Sequence, residues 1–249
     1  MGKVVIFSTG AKGGVGKSTL TILMIEALRE AGIEVACIVA DERSAITERK
    51  YLDSPITLVE ADPLKLGYSE ATSTFRGIVS ELKENWVVVD TSATWARIFD
   101  DSPEELTRSD WETRAVWSLA LIADRETSGA DDDGLFESIK NGMLSAMARE
   151  NVTVIRPMFQ LSYRGQQFWY DKSAKRTENL GLKENQIKRI PALLIQAIHR
   201  DRSSMTELIA KSNAKDPVTG ANLQLIWHST KVSLAETILA GANLRLGSR

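Results

Sequence analysis

Short apolar runs alternate with stretches of helical period along most of this 249-residue chain. Lys3–Ser8 reads as a strand. Leu20–Glu30 puts Leu20, Leu23, Met24, Ala27 and Leu28 on one helical face, and Gly32 is a natural stop. Ile33–Ala40 is apolar apart from Glu34, the pattern of a strand buried on both faces. Strand, helix and second buried strand together make a β–α–β unit. The alternation continues with a strand at Thr57–Ala61, a helix at Thr72–Lys83 and a strand at Trp86–Val89 that ends at Asp90. An apolar run at Val116–Ala123, a helix at Gly134–Arg149 and a strand at Val152–Pro157 follow. Ile187–Ile190 leads into Pro191, helical period resumes over Ala192–His199, and Val232–Leu246 reads as a moderately amphipathic helix. With no internal repeat or low-complexity linker, the pattern predicts an α/β fold. Residues 1–249 form one domain, a single doubly wound, mostly parallel sheet flanked by helices.

Composition changes this picture little. Hydrophobic residues at 43% and charged residues at 26% allow a full core without disulfides or metal staples. A net charge of −2 gives no global drive toward nucleic acid or acidic membrane, so such binding needs a local patch. Charge is unevenly placed: Phe99–Glu137 holds twelve acidic and three basic side chains, Tyr163–Arg202 nine basic and four acidic. The basic stretch also carries Tyr163, Phe168, Trp169 and Tyr170. It reads as a nucleic-acid or partner surface, or as a solvated face with a few packing aromatics; sequence alone favours the second. Asp131-Asp132-Asp133 reads as an exposed turn. Cys37, the one cysteine, sits in an apolar run as a small hydrophobe, and His199 and His228 lie too far apart in sequence to suggest a metal site. Trp86 and Trp117 belong to apolar strands and hence to the core, while Trp95, just past Asp90, is placed to report on changes there. No run approaches the ~20 apolar residues of a membrane span. The N-terminus enters a strand at once, which predicts a cytoplasmic protein without stable membrane insertion.

The chemistry is concentrated after the first strand. Lys12-Gly13-Gly14-Val15-Gly16-Lys17-Ser18-Thr19 links that strand to the first helix, the context of a phosphate-binding P-loop. Glycines let the backbone approach phosphate oxygens, and the freed N–H groups with the helix N-terminus form an anion cradle. Lys17 is suited to the β- and γ-phosphates, the Ser18 hydroxyl to Mg²⁺, and Thr19 to the α-phosphate. Ala11 stands where the commonest form of the motif has glycine.

The eight-residue string resembles the deviant Walker A motif of the ParA/MinD family of P-loop ATPases, whose extra lysine falls at Lys12. The resemblance implies ATP and Mg²⁺ as cofactors, with Gly13, Gly14, Val15, Gly16, Lys17, Ser18 and Thr19 around the nucleotide. It implies that Asp90 holds the Mg²⁺ water shell and that Asp41 positions the attacking water beside the metal. Caps of following turns are the competing readings of both aspartates. The family commonly has two aspartates at the end of the second strand; Val39 stands in place of the first. Arg189-Ile190-Pro191 resembles the strand–Pro–helix element near adenine, while Arg156 occupies the region of a base-contacting asparagine and could stack on the base. Residues 162–181 look like an insertion.

By the same resemblance, Lys12 crosses to a partner's nucleotide in a sandwich homodimer, and Lys12, Lys17 and Asp41 carry slow hydrolysis stimulated by a partner protein. The implied task is positioning or segregating plasmid DNA or another cargo, with non-specific DNA taken by the basic stretch 164–202. Two alternatives are a MinD-like membrane-associated switch, which needs a basic amphipathic C-terminal helix, and a P-loop enzyme that phosphorylates a small acceptor.

Overall fold

The computed structural model describes residues 2–10, 16–40, 45–52, 54–61, 68–107, 110–118, 129–157, 180–187, 190, 192–240 and 242. Its strands are β1 (Val4–Thr9), β2 (Val35–Ala40), β3 (Thr57–Glu60), β4 (Trp86–Thr91), β5 (Glu112–Ser118), β6 (Val152–Pro157) and β7 (Lys183–Ile187). They form one seven-stranded sheet in the order β3-β2-β4-β1-β5-β6-β7. Every neighbouring pair is parallel, so the doubly wound parallel sheet expected from the alternation is present.

The central strands β1, β2 and β4 are buried on both faces, as their unbroken apolar runs require. Val4 and Ile6 of β1 join one core cluster with Cys37, Val88 and the first helix, α1 (Lys17–Glu30). Val5 and Phe7, pointing the other way, join a second cluster with Ile38, Val87 and Val89. That second face is covered by α3 (Tyr68–Glu81) and α4 (Ala93–Asp101). Phe7, Phe75, Trp95 and Phe99 meet there with ring centroids 5.1–5.7 Å apart. Cys37, Trp86 and Trp117 are core residues, as their apolar surroundings indicate.

α2 (Ala45–Tyr51) precedes α3, and the single turn α5 (Glu104–Thr107) follows α4. After them come α6 (Gly129–Lys140), α7 (Ala192–Arg200), α8 (Met205–Lys215) and α9 (Pro217–Glu236). Several expected boundaries are corrected. The helix expected at Gly134–Arg149 starts earlier and stops at Lys140, so Asp131–Asp133 lie in its first turns rather than in a loop. A Cβ on Gly142 would lie 2.2 Å from Asp100 Oδ1. That carboxylate caps the helix end, accepting the Ser138 hydroxyl at 2.7 Å and the Met143 N–H at 2.8 Å. β7 spans Lys183–Ile187, which apolar runs do not announce, because an edge strand with one neighbour tolerates polar residues such as Lys183 and Asn185; Lys188 and Arg189 lie outside the described residues.

The last helix among the described residues begins at Pro217, after Asp216 caps it by accepting the Val218 N–H at 3.1 Å, and ends at Glu236. It therefore does not continue toward Leu246. Ile238, Leu239 and Ala242 instead tuck into the core. Among the described residues no helix is long and apolar enough to cross a membrane.

Candidate nucleotide site

Strand register brings the expected chemistry to one edge. Asp90, near the carboxyl end of β4, pairs with Ser8 of β1 on one side and Val39 of β2 on the other. In an open parallel sheet, ligands bind outside these strand ends, where successive connections diverge. The connection after β1 turns toward β2, and the connection after β4 crosses β1 to reach β5.

The helix that follows β1 is set by Gly16, whose φ of 92° and ψ of 13° are left-handed and favour glycine. From that N-cap position its carbonyl accepts the Leu20 N–H at 2.9 Å, so α1 starts one residue before Ser18. Ser8 ties strand to helix, donating its hydroxyl to the Lys17 carbonyl at 3.0 Å, while Thr91 donates to the Ser8 carbonyl at 2.6 Å. These bonds hold the ends of β1 and β4 and the first turn of α1 as one unit. Lys17 is largely buried here, with 6% exposure.

The centre of the site is the Asp90 carboxylate, fully removed from solvent. Ser18 donates to Oδ1 at 3.2 Å and Thr47 of α2 donates to Oδ2 at 2.6 Å. A buried carboxylate needs such partners to remain charged. The Ser18 hydroxyl donates to Asp90, and a hydroxyl oxygen is also an acceptor of the kind that ligates a cation. One hydroxyl and one carboxylate are hard oxygen donors. They fit Mg²⁺, which takes few protein ligands and completes its shell with water and phosphate. α4 is capped by Ser92, whose side chain accepts the Trp95 N–H at 3.2 Å.

The Thr19 hydroxyl lies 2.8 Å from Nε2 of His199 on α7. Burial and then the nearby Lys50 ammonium hold the His199 pKa below its ordinary value of 6.5, so the ring is neutral at pH 7. Lys50 itself is buried; desolvation lowers its pKa, and it donates to the carbonyls of Asp201 at 2.9 Å and Ser203 at 2.6 Å. Next to it, Tyr51 donates to Glu26 Oε1 at 3.1 Å and lies 3.3 Å from the Ile22 carbonyl. Thr47, Lys50 and Tyr51 occupy positions i, i+3 and i+4, so α2 presents a polar face to the interior. That arrangement had no apolar periodicity to reveal it.

Lys12, Gly13, Gly14 and Val15 lie outside the described residues, as do Asp41 and Pro191. Arg156 is described as backbone in β6. Of the basic stretch 164–202, the side chains of Lys183, Arg200 and Arg202 are described and exposed; the aromatics Tyr163–Tyr170 fall outside. Trp95 is wholly buried and donates its indole N–H to the Ala61 carbonyl at 2.8 Å.

A family model described as the CobQ/CobB/MinD/ParA nucleotide binding domain matches residues 6–236. Solved structures agree in fold. One is a protein of Borrelia burgdorferi B31 described as a plasmid partition protein and bound to AMPPNP. It is 14% identical with a TM-score of 0.56, covering 92% of this chain and 99% of that one. The MinD cell division protein of Aquifex aeolicus is 17% identical with a TM-score of 0.54, covering 94% and 97%. A Cyanothece McdA variant in complex with ATP is 14% identical with a TM-score of 0.55, covering 94% and 96%. At such identities the likeness is one of fold. No curated protein matches the chain in sequence.

Proposed function

The chain belongs to the CobQ/CobB/MinD/ParA nucleotide-binding family, and from that premise we propose that it is a ParA-like ATPase switch. It binds ATP with Mg²⁺, dimerises around the nucleotide and hydrolyses it slowly to position plasmid DNA or another cargo. The observation that carries the reading is the Ser18–Asp90 contact at the carboxyl edge of the sheet, beside the left-handed Gly16 that starts α1.

Transfer of a phosphoryl group to water asks for positioning and charge neutralisation rather than covalent catalysis. Lys17 neutralises the β/γ oxygens, and backbone N–H groups of Gly13–Gly16 cradle them. Asp41 orients the in-line water. Mg²⁺, when bound, would supply further charge neutralisation, and Ser18, Asp90 and Asp41 are the residues that would hold it and its water shell. Thr19, Arg156 and Pro191 complete the nucleotide surroundings. Lys12 reaches the partner's nucleotide, so full charge neutralisation arrives only in the homodimer and couples hydrolysis to assembly. Residues 1–249 act as one domain with 162–181 inserted. The stretch 164–202 offers a DNA-binding surface, and a partner protein stimulates turnover.

A MinD-like membrane role calls for a free amphipathic C-terminal helix. The burial of Ile238, Leu239 and Ala242 in the core weighs against those residues forming its apolar face.

Mass in solution, measured with and without ATP and Mg²⁺, tests the proposal. The wild type should double its mass with nucleotide and Lys12→Ala should not. A wild type that binds ATP yet stays monomeric would sink the dimer switch and favour phosphorylation of a small acceptor.

A further inference from the structure

We propose that Thr47 is a positioning residue for the Mg²⁺ site, fixing the Asp90 carboxylate from the side opposite Ser18. This rests on the nucleotide reading above. Thr47 is fully buried, and its hydroxyl donates to Asp90 Oδ2 at 2.6 Å while Ser18 donates to Oδ1 at 3.2 Å. The carboxylate is thus gripped by α1 and α2 at once. A ligand held by outer hydrogen bonds loses less freedom when a cation or its water shell arrives, and its charge and orientation are set in advance.

The placement of Thr47 is itself fixed. One turn further along α2, Lys50 donates to the carbonyls of Asp201 and Ser203, beyond the end of α7. Tyr51 donates into α1 at Glu26, and Glu26 also accepts the Met205 N–H of α8 at 2.8 Å. The helix that delivers the Thr47 hydroxyl is therefore bolted to α1, which also delivers Ser18. A structural threonine would serve equally well with its hydroxyl on a local backbone carbonyl. Here it is spent on Asp90, a buried carboxylate at the phosphate edge.

The test is a Mg²⁺ titration of fluorescent ATP-analogue binding to the full chain, comparing wild type, Thr47→Val and Thr47→Ser. Affinity in EDTA is the control, since a purely structural role would change both conditions alike. Thr47→Val should need ~10–100-fold more Mg²⁺ at half-saturation with its EDTA affinity unchanged, and Thr47→Ser should restore the wild-type midpoint. Thr47→Ala serves the same comparison if the valine variant does not fold. A Mg²⁺ midpoint for Thr47→Val or Thr47→Ala equal to that of a Mg²⁺-dependent wild type overturns this inference alone. Loss of EDTA and Mg²⁺ binding in parallel overturns it in favour of a structural role. A wild type whose binding ignores Mg²⁺ overturns the nucleotide reading as well.

Discussion

Tyr51→Phe removes one oxygen from the middle of the polar face that anchors α2. Tyr51 is 2% exposed, and its hydroxyl shares a single proton between Glu26 Oε1 at 3.1 Å and the Ile22 carbonyl at 3.3 Å. Burial first, and the Glu26 charge second, raise the Tyr51 pKa well above 10.0, so the hydroxyl is a donor at every working pH. Phenylalanine keeps the ring and its packing, so no cavity term enters. What is lost is a hydrogen bond to a charged group, ~1.5–3 kcal/mol, partly offset by no longer burying a hydroxyl. Glu26 keeps the Met205 N–H at 2.8 Å and Arg29 at 3.1 Å, which limits the damage. The net expectation is a loss of about 1–2 kcal/mol, read as a fall in urea midpoint at unchanged slope. At ~2–4 °C per kcal/mol for a chain of this size, Tm drops by about 2–8 °C. Urea and thermal melts at pH 7 decide it. A variant as stable as wild type would refute the claim that this buried network holds α2.

Two further outcomes follow from the same structure. Phe75→Ala empties the centre of the aromatic cluster, where Phe75 is fully buried against Phe7, Trp95 and Phe99, and should cost about 3–5 kcal/mol in chemical denaturation; a cost below ~1 kcal/mol would show that the cluster is not packed as described. His199 has a folded pKa below 6.5, so the unfolded chain binds its proton first. Its contribution to stability is present above pH 6.5 and lost as pH falls through the lowered folded value. Melts between pH 7.5 and 5 should show that loss in the wild type and a reduced slope in His199→Gln; identical slopes would contradict it.

The parts of the fold written in unbroken apolar runs were readable from sequence. β1, β2 and β4 are buried on both faces, so each is a run of hydrophobes. Asp90 could be placed because it ends such a run. The elements that escaped carry polar residues on buried or edge surfaces. α2 turns Thr47, Lys50 and Tyr51 inward, so a search for apolar period passes over it. β7, at the sheet edge, reads as a polar segment. The first turns of α9 are announced by Asp216 and Pro217 rather than by hydrophobic spacing. The Thr19–His199 contact joins residues 180 apart in sequence; no local pattern encodes such a pair, which exists only because α1 and α7 pack on the same face of the sheet.

The most direct test of the account is calorimetric titration of ATP into the wild type and into Lys17→Ala, each with Mg²⁺ and again with EDTA. The account predicts saturable, Mg²⁺-strengthened binding at one nucleotide per chain in the wild type, and its loss in a Lys17→Ala protein that melts like the wild type. Equal ATP affinity in the two proteins, or none in the wild type, would contradict it.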